Sequence, residues 1–293
     1  MPTAPFESRT LDAEGLPLHV RQRHPGGDPA VLFLHGWLDH SHSFDPLCEH
    51  LPPDWRTVLL DFRGMGQSGH LGPGATYHFS DHLLDVEAAL DGLALPSVHL
   101  VGHSLGGIVA LAYAAARPER ILSLTLIESL GPSGGPPEGA VQRLRGFLDD
   151  ARRPPNRKRY PSVEAAAERL RQANPTLSPD AARLFAHHGT HPTPEGEHAF
   201  TFDPRHRRRF GQGFDESQWL ALEAAVTCPV QILRGSQGLS PSPPLLQGRL
   251  DALRTLVGPP QVFEGGHHVH LEQPQAIAAA IATFVQGNVR YPP

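Results

Sequence analysis

Lysine is almost missing from this chain: Lys158 is the only one among 25 basic residues, and arginine supplies the rest. With 30 acidic residues the formal charge is −5, so nothing in the balance draws the chain toward nucleic acid or an anionic surface. Cysteine is nearly as scarce. Cys48 and Cys228 lie far apart and form no metal or redox pattern, and two unpaired thiols point to a reducing compartment, so the chain reads as cytoplasmic. No apolar run reaches the roughly 18 residues that a membrane helix needs. The start, Met1-Pro2-Thr3-Ala4-Pro5-Phe6-Glu7, lacks a basic segment followed by an apolar one, so no targeting leader is expected. What is present is a folded composition, 39% hydrophobic over 293 residues, enough for one large domain or one carrying a sizeable insertion. The abundant proline, glycine and alanine, with arginine in place of lysine, look like compositional bias rather than function.

Strand-like and helix-like stretches alternate along the first half. Residues 7–23 alternate around Ala13-Glu14-Gly15, as an opening hairpin does. Val31–Leu34 and Thr57–Leu60 are short apolar runs, and Ser43 is placed to cap a helix through Leu51. Ser80 is placed to cap a helix over Asp81–Leu93, whose Leu83, Leu84, Ala88 and Leu90 suit one face. Val98–Val101 and Leu122–Ile127 are further strands. This order predicts an α/β fold with a mostly parallel, doubly wound sheet, in which ligands bind beyond the carboxyl ends of the strands. The stretches of chemical interest all lie at such ends: His35-Gly36-Trp37, Asp61 onward, Ser104 and Glu128.

From about Pro132 to Ser217 the character changes to Pro-containing loops between helical stretches, Val141–Ala151, Val163–Ala173 and Ala181–His188. Residues 132–217 therefore read as a helical cap inserted into a core made of 1–131 and 218–293. After it come a strand at Val230–Leu233, a helix over Pro243–Val257, a short strand at Gln261–Phe263 and a last helix over Gln273–Gln286.

The central signal is Gly102-His103-Ser104-Leu105-Gly106, set between a strand and the helical run Ile108–Ala116. Strand, G-x-S-x-G and helix make the context of a nucleophile elbow, in which a tight turn thrusts the serine hydroxyl out at the sheet end. A Cβ at Gly102 or Gly106 would collide with neighbouring backbone. The alternative is an ordinary strand-to-helix turn that happens to contain a serine.

Taken in order, His35-Gly36 after a strand, Asp61-x-Arg63-Gly64-x-Gly66-x-Ser68, Gly102-His103-Ser104-Leu105-Gly106-Gly107 and a late Gly266-His267 resemble the α/β-hydrolase superfamily over nearly the full chain. Within it, His35-Gly36-Trp37-Leu38-Asp39, Asp61-Phe62-Arg63-Gly64 and Leu126-Ile127-Glu128-Ser129-Leu130-Gly131 resemble the serine hydrolase-like proteins. The resemblance implies Ser104 as nucleophile and His267, after the last strand, as its base, with His268 and His270 lining the site or capping the final helix. The acid departs from the common pattern. Most members place an Asp in a G-x-x-D arrangement after the strand equivalent to Val230–Leu233, and here that stretch is Gly235-Ser236-Gln237-Gly238. Some members, including one group of haloalkane dehalogenases, take the acid from a Glu at the position of Glu128. Its alternatives are a cap hinge or an ion pair with a nearby Arg. Asp61 is the other carboxylate at a strand end, and the resemblance makes its motif structural.

The same resemblance assigns the oxyanion-binding N–H groups to Leu105 and Trp37, with the Trp37 indole packing against the acyl pocket and His103 beside it as a substrate contact. A serine hydroxyl is a poor nucleophile at neutral pH without an adjacent base and a group orienting that base. A Ser104–His267–Glu128 set acting on a small-molecule ester, without cofactor or metal, is therefore the leading expectation. Carbon–carbon hydrolysis or perhydrolysis on the same residues remains open, as does a degenerate hydrolase that only binds, for which Gly238 speaks. Dehalogenase and epoxide hydrolase chemistry is disfavoured, because an alkylated Ser104 would be a dead-end ether.

Two further patterns fall outside this set. His187-His188-x-x-His191 has an i, i+4 element that could hold a metal, but Gly189 and Pro192 end the helix there. Arg152-Arg153 with Arg157-Lys158-Arg159, and Arg205 with Arg207-Arg208-Arg209, read as solvated faces or as contacts for an anionic substrate or interface. No nucleic-acid-reading module accompanies them. Oligomeric state is not legible.

Overall fold

Eight strands share one sheet in the computed structural model, which describes residues 4–129, 131–132, 136–154, 156–239 and 242–288. The opening alternation forms the hairpin β1 (Glu7–Ala13) and β2 (Leu16–Arg23), turned at Glu14 and Gly15, both with positive φ. β3 (Ala30–Leu34) leads into a 3-10 turn at Ser41–Phe44 and the short α1 (Asp45–Cys48). β4 (Arg56–Leu60), α2 (Asp81–Gly92), β5 (Val98–His103), α3 (Leu105–Ala116) and β6 (Ile121–Ile127) follow.

The next segment carries α4 (Ala140–Arg152), β7 (Arg159–Tyr160), α5 (Val163–Ala173), α6 (Pro179–Gly189), β8 (Thr190–Pro192), β9 (His198–Phe200) and α7 (Glu216–Ala225). Ser162 and Ser178 cap α5 and α6, accepting from the N–H groups of Ala165 and Ala181. β7, β9 and β8 make a small antiparallel sheet that the helical reading missed, since strands of two or three residues leave no periodicity to read. Leu130 and residues 133–135, in the Pro/Gly-rich opening of this segment, lie outside the described residues. The chain ends with β10 (Val230–Gly235), α8 (Pro243–Ala252), β11 (Gln261–Phe263), α9 (Val269–Glu272) and α10 (Pro274–Gly287).

The strand order is β1-β2-β4-β3-β5-β6-β10-β11, parallel from β4 to β11, with β2 antiparallel to both β1 and β4. Winding reverses between β3 and β5, and the chain leaves both strands at the same edge. The period-two alternation divides the apolar side chains between the two faces. Leu32, Leu34, Val58, Leu60 and Leu100 join one core, and Val31, Phe33, Leu59, Val101 and Ile127 join the other. No helix among the described residues is long and apolar enough to cross a membrane.

Three local readings are corrected. Ser43 caps no helix through Leu51; its hydroxyl donates to Asp39 at 3.0 Å, and α1 stops at Cys48. Ser80 has helical backbone and makes no side-chain cap, which requires an extended residue at that place. The helix expected to reach Val257 ends at Ala252, because the chain beyond it bonds to the start of β10: Val230 N–H donates to Thr255 and Val257 N–H to Val230.

Candidate active site

The reversal between β3 and β5 puts two loops side by side, the one after Leu34 and the turn after His103. Such a switch point is where doubly wound sheets open a crevice. Ser104 takes φ 51° and ψ −116° between β5 and α3, a region an L-residue enters at a cost of about 1–3 kcal/mol. The turn is that tight because Gly106 lies against β3: a Cβ there would overlap the carbonyl of Leu34. Leu38, four residues beyond β3, and Glu128, directly after β6, also carry positive φ, and these two strands flank β5. Three strained non-glycine residues thus gather at one sheet edge.

His267 Nε2 lies 3.0 Å from Ser104 Oγ, and His267 Nδ1 lies 3.3 Å from Glu128 Oε2. A carboxylate only accepts, so Nδ1 carries the proton toward Glu128 and Nε2 is left to accept from the serine hydroxyl. The Glu128 side chain is fully buried, while that of His267 is 23% exposed toward the crevice. Two backbone donors fix the carboxylate, Gly235 N–H at the end of β10 at 2.7 Å and Leu239 N–H in the loop after it at 2.8 Å. The structure therefore brings Ser104, His267 and Glu128 together across residue separations of 163 and 139.

The histidine loop is held from two sides that the sequence did not reveal. His103 Nε2–H donates to the His267 carbonyl at 2.8 Å. Glu272 accepts the Gly266 N–H at 2.6 Å, and Thr176, in the loop between α5 and α6, donates to the same carboxylate at 2.8 Å. No spacing connects Thr176 to Glu272. His103 was expected as a substrate contact. It is buried at the inner wall of the crevice and spends Nε2 on the backbone of His267. His268 and His270 pack around it, and burial pushes His268 down to about 3 and His103 and His270 also well below the ordinary range.

The loop after β3 is braced by Asp39, which accepts from Gly36 N–H at 3.4 Å, His40 N–H at 2.7 Å and the Ser43 hydroxyl. Burial pushes the Asp39 carboxyl up to about 7. Asp39 was visible only as part of a motif, with no role attached. Among the described residues neither the Trp37 nor the Leu105 backbone N–H finds an internal acceptor. Leu105 opens α3, so its free N–H sits at the positive end of that helix. The Trp37 indole does more than pack: it donates to the His206 carbonyl at 3.2 Å, tying this loop to the segment after β9.

Asp61 is committed elsewhere, accepting from His19 at 2.8 Å and from the Ser41 and Gln67 N–H groups. These bonds hold its carboxyl well below the usual range, against the opposing pull of its burial. Arg63 is bound to Asp85 at 2.8 Å. The histidines near the end of α6 diverge: His188 stacks on His42 with centroids 3.7 Å apart, and His191 meets Arg157. Two other sets bring three ligand atoms within 4.8 Å of one another, His103 with His268 and His270, and His42 with Asp45 and His188. In the first, one His103 nitrogen is already used by His267. In the second, the parallel stack of two rings keeps their lone pairs from converging on one ion.

A cavity of about 420 Å³ opens over Ser104 and His267. Its walls include Trp37, Tyr160, Leu170, Phe185, Phe200 and Leu239, most of them from the segment between β6 and β10.

Strained elbow, facing imidazole and switch-point crevice define a fold of the α/β-hydrolase kind, and the chain belongs to that superfamily: the sequence model of the alpha/beta hydrolase fold matches residues 29–274. Within it the chain falls in the serine hydrolase-like group. It is 31% identical to a serine hydrolase-like protein of Danio rerio over 89% of this chain and 83% of that one. Among solved structures it resembles a hypothetical protein from Pseudomonas aeruginosa PAO1 (32% identity, TM-score 0.86, 96% of this chain and 99% of that one). It also resembles the thioesterase domain from the curacin biosynthetic pathway (28% identity, TM-score 0.84, 95% and 99%).

Proposed function

We propose that this hydrolase cleaves carboxylic esters through an acyl-enzyme, with Ser104 as nucleophile, His267 as base and then acid, and Glu128 as the group that orients the imidazole. The observation that carries this reading is the unbroken contact series, 3.0 Å from Ser104 Oγ to His267 Nε2 and 3.3 Å from His267 Nδ1 to Glu128 Oε2. Ser104 attacks the carbonyl carbon as its proton passes to Nε2. The resulting oxyanion is met by the N–H groups of Leu105 and Trp37, each donor of this kind being worth about 3–4 kcal/mol in the transition state. The imidazolium, held by Glu128, returns its proton to the leaving alkoxide, and water repeats the cycle to free the acid. Residues 132–217 act as the cap that shapes the acyl pocket over a core of 1–131 and 218–293. The two unpaired thiols of Cys48 and Cys228, both buried, support a cytoplasmic setting.

The likeness to a thioesterase domain supports thioesters as substrates of the same cycle, since only the leaving group differs. A fluorophosphonate probe tests the reading directly: wild-type protein becomes labelled and loses activity, Ser104→Ala takes no label, and the untreated wild-type enzyme turns over p-nitrophenyl esters of graded chain length. Wild type that takes no label and cleaves no ester would leave a binding protein as the better description.

A further inference from the structure

Three cations reach the cavity over Ser104 from three separate elements of the cap: Lys158 just before β7, Arg169 on α5, and Arg207 in the 3-10 turn after β9. Their convergence is a product of tertiary folding, because no single helix face carries them. Among the described residues none of the three has a carboxylate partner. Arg207 instead lies over the Phe202 ring, 4.9 Å from its centroid. Other arginines of the same segment are paired: Arg159 with Glu195 at 2.8 Å, Arg171 with Glu168 at 3.3 Å, Arg183 with Asp180 at 3.2 Å and Arg209 with Asp150 at 2.9 Å.

Nor does the cavity neutralise the three cations. Asp39 is the one carboxyl group in its lining among the described residues, and burial favours its uncharged form. The remaining wall is largely apolar, so the three cations, all solvent-exposed at its rim, set the sign of the field that an entering substrate meets. A neutral acyl chain would leave that field unused.

We propose that this site takes an ester or thioester whose acyl chain carries a second, anionic group, a carboxylate or a phosphate, which Lys158, Arg169 and Arg207 hold while Ser104 attacks the esterified carbonyl. The inference rests on the hydrolase reading above and narrows its substrate class. The bond from Ser104 Oγ to the carbonyl carbon forms as the ester C–O bond breaks. The serine proton passes through His267 to the leaving oxygen, and water then releases an acid bearing two anionic groups.

A matched pair of substrates reads this out: p-nitrophenyl butyrate against the mono-p-nitrophenyl ester of glutaric acid. The wild-type kcat/KM ratio favours the anionic ester about tenfold at about 0.02 M salt and falls toward unity at about 0.5 M, where the screening length is a few ångströms. Lys158→Gln, Arg169→Gln and Arg207→Gln each lower that ratio about twofold. Arg171→Gln, on the same helix as Arg169 but paired with Glu168, leaves the ratio at the wild-type value. Free glutarate and inorganic phosphate as competitive inhibitors then separate a carboxylate from a phosphoryl substrate, and inhibition by either supports the site. Calorimetric binding of monomethyl glutarate and methyl butyrate to Ser104→Ala gives a readout independent of turnover. Esters hydrolysed without preference for the anionic one, or a preference untouched by all three substitutions, overturns the inference while the hydrolase reading stands. Absent labelling and turnover with the anionic ester still bound preferentially would sink the hydrolase reading alone.

Discussion

Gly238 faces Glu128 so closely that a Cβ at position 238 would overlap both oxygens of the carboxylate. The glycine that replaces the more usual aspartate after β10 is therefore the residue that makes room for an acid arriving from β6. The two positions are alternatives in space, and the Gly235 and Leu239 N–H groups grip the one carboxylate that is there. A missing acid at 238 and a buried Glu at 128 are one feature seen from two strands.

Glu128→Gln should lower kcat for a p-nitrophenyl ester by about a thousandfold to ten-thousandfold, because an amide in that place no longer enforces the imidazole tautomer that serves Ser104. Steady-state kinetics measures it, and turnover near the wild-type rate would remove Glu128 from the proposed mechanism.

Gly238→Asp alone should also be strongly impaired, since two carboxylates would compete for one space beside His267. Combining it with Glu128→Ala vacates that space, and the double variant should recover at least about tenfold in kcat over Glu128→Ala, a gain of about 1.4 kcal/mol in barrier. A double variant no better than Glu128→Ala would show that the two positions are not interchangeable.

Thr176→Val deletes the hydroxyl that steadies Glu272, whose carboxylate holds the backbone just before His267. A hydrogen bond to a charged group contributes about 1.5–3 kcal/mol to stability, so the unfolding midpoint should fall measurably and kcat/KM, through the loosened His267 loop, about tenfold. Unchanged kinetics would mean that the loop between α5 and α6 does not steady the His267 loop.

Gly106→Ala should cost more than about 3 kcal/mol of stability or abolish soluble folding, because its Cβ would strike the backbone of β3. Gly248→Ala, on α8 with open space around it, should instead stabilise by about 0.5–1 kcal/mol. Denaturant unfolding of the pair checks both directions.

Acidification should destabilise the protein. Burial pushes His40 and His206 down to about 3 from an ordinary value of 6.5. Between those values the unfolded chain binds protons that the folded chain refuses, so stability rises with pH across that window. It falls on acidification by up to about 1.4 kcal/mol per pH unit for each such group. Asp39 and Glu223, both pushed up to about 7 by burial, run the other way: their contribution is present at low pH and lost as pH rises through about 7. The depressed histidines, which also include His268 at about 3 and His99 and His188 at about 4, outnumber these two carboxyls, so the melting temperature should drop from pH 7 to pH 5, and His40→Gln should flatten that drop. A melting temperature that holds or rises over the same interval would contradict the assignment of these imidazoles as neutral.

Much of this was readable before any fold was known. Gly102-His103-Ser104-Leu105-Gly106 between an apolar strand and a helical run placed the elbow, since the turn needs small residues at fixed offsets. Glu128 was legible as the last residue of a strand, although its partner lay 139 positions away. The caps at Ser43 and Ser80 were misread because a serine before a helical pattern also suits a turn, and only the backbone angle there decides which. The sheet of β7, β8 and β9 offered too few residues for any pattern. Lys158, Arg169 and Arg207 looked like any other basic residues in a segment rich in arginine.

The sequence by itself determined the layers, the parallel sheet, the elbow and the set of residue types available for chemistry. Periodicity, glycine offsets and strand ends are local properties, and a local property survives being written in one dimension. Tertiary structure alone decided which carboxylate reaches His267, that Gly238 yields its space to Glu128, that Thr176 and His103 steady the histidine loop, and that Lys158, Arg169 and Arg207 share one cavity. Each of those relations joins residues distant in the chain. Their contacts arise only when strands, helices and loops pack at fixed distances, and that packing follows from the energy of the whole rather than from any one segment.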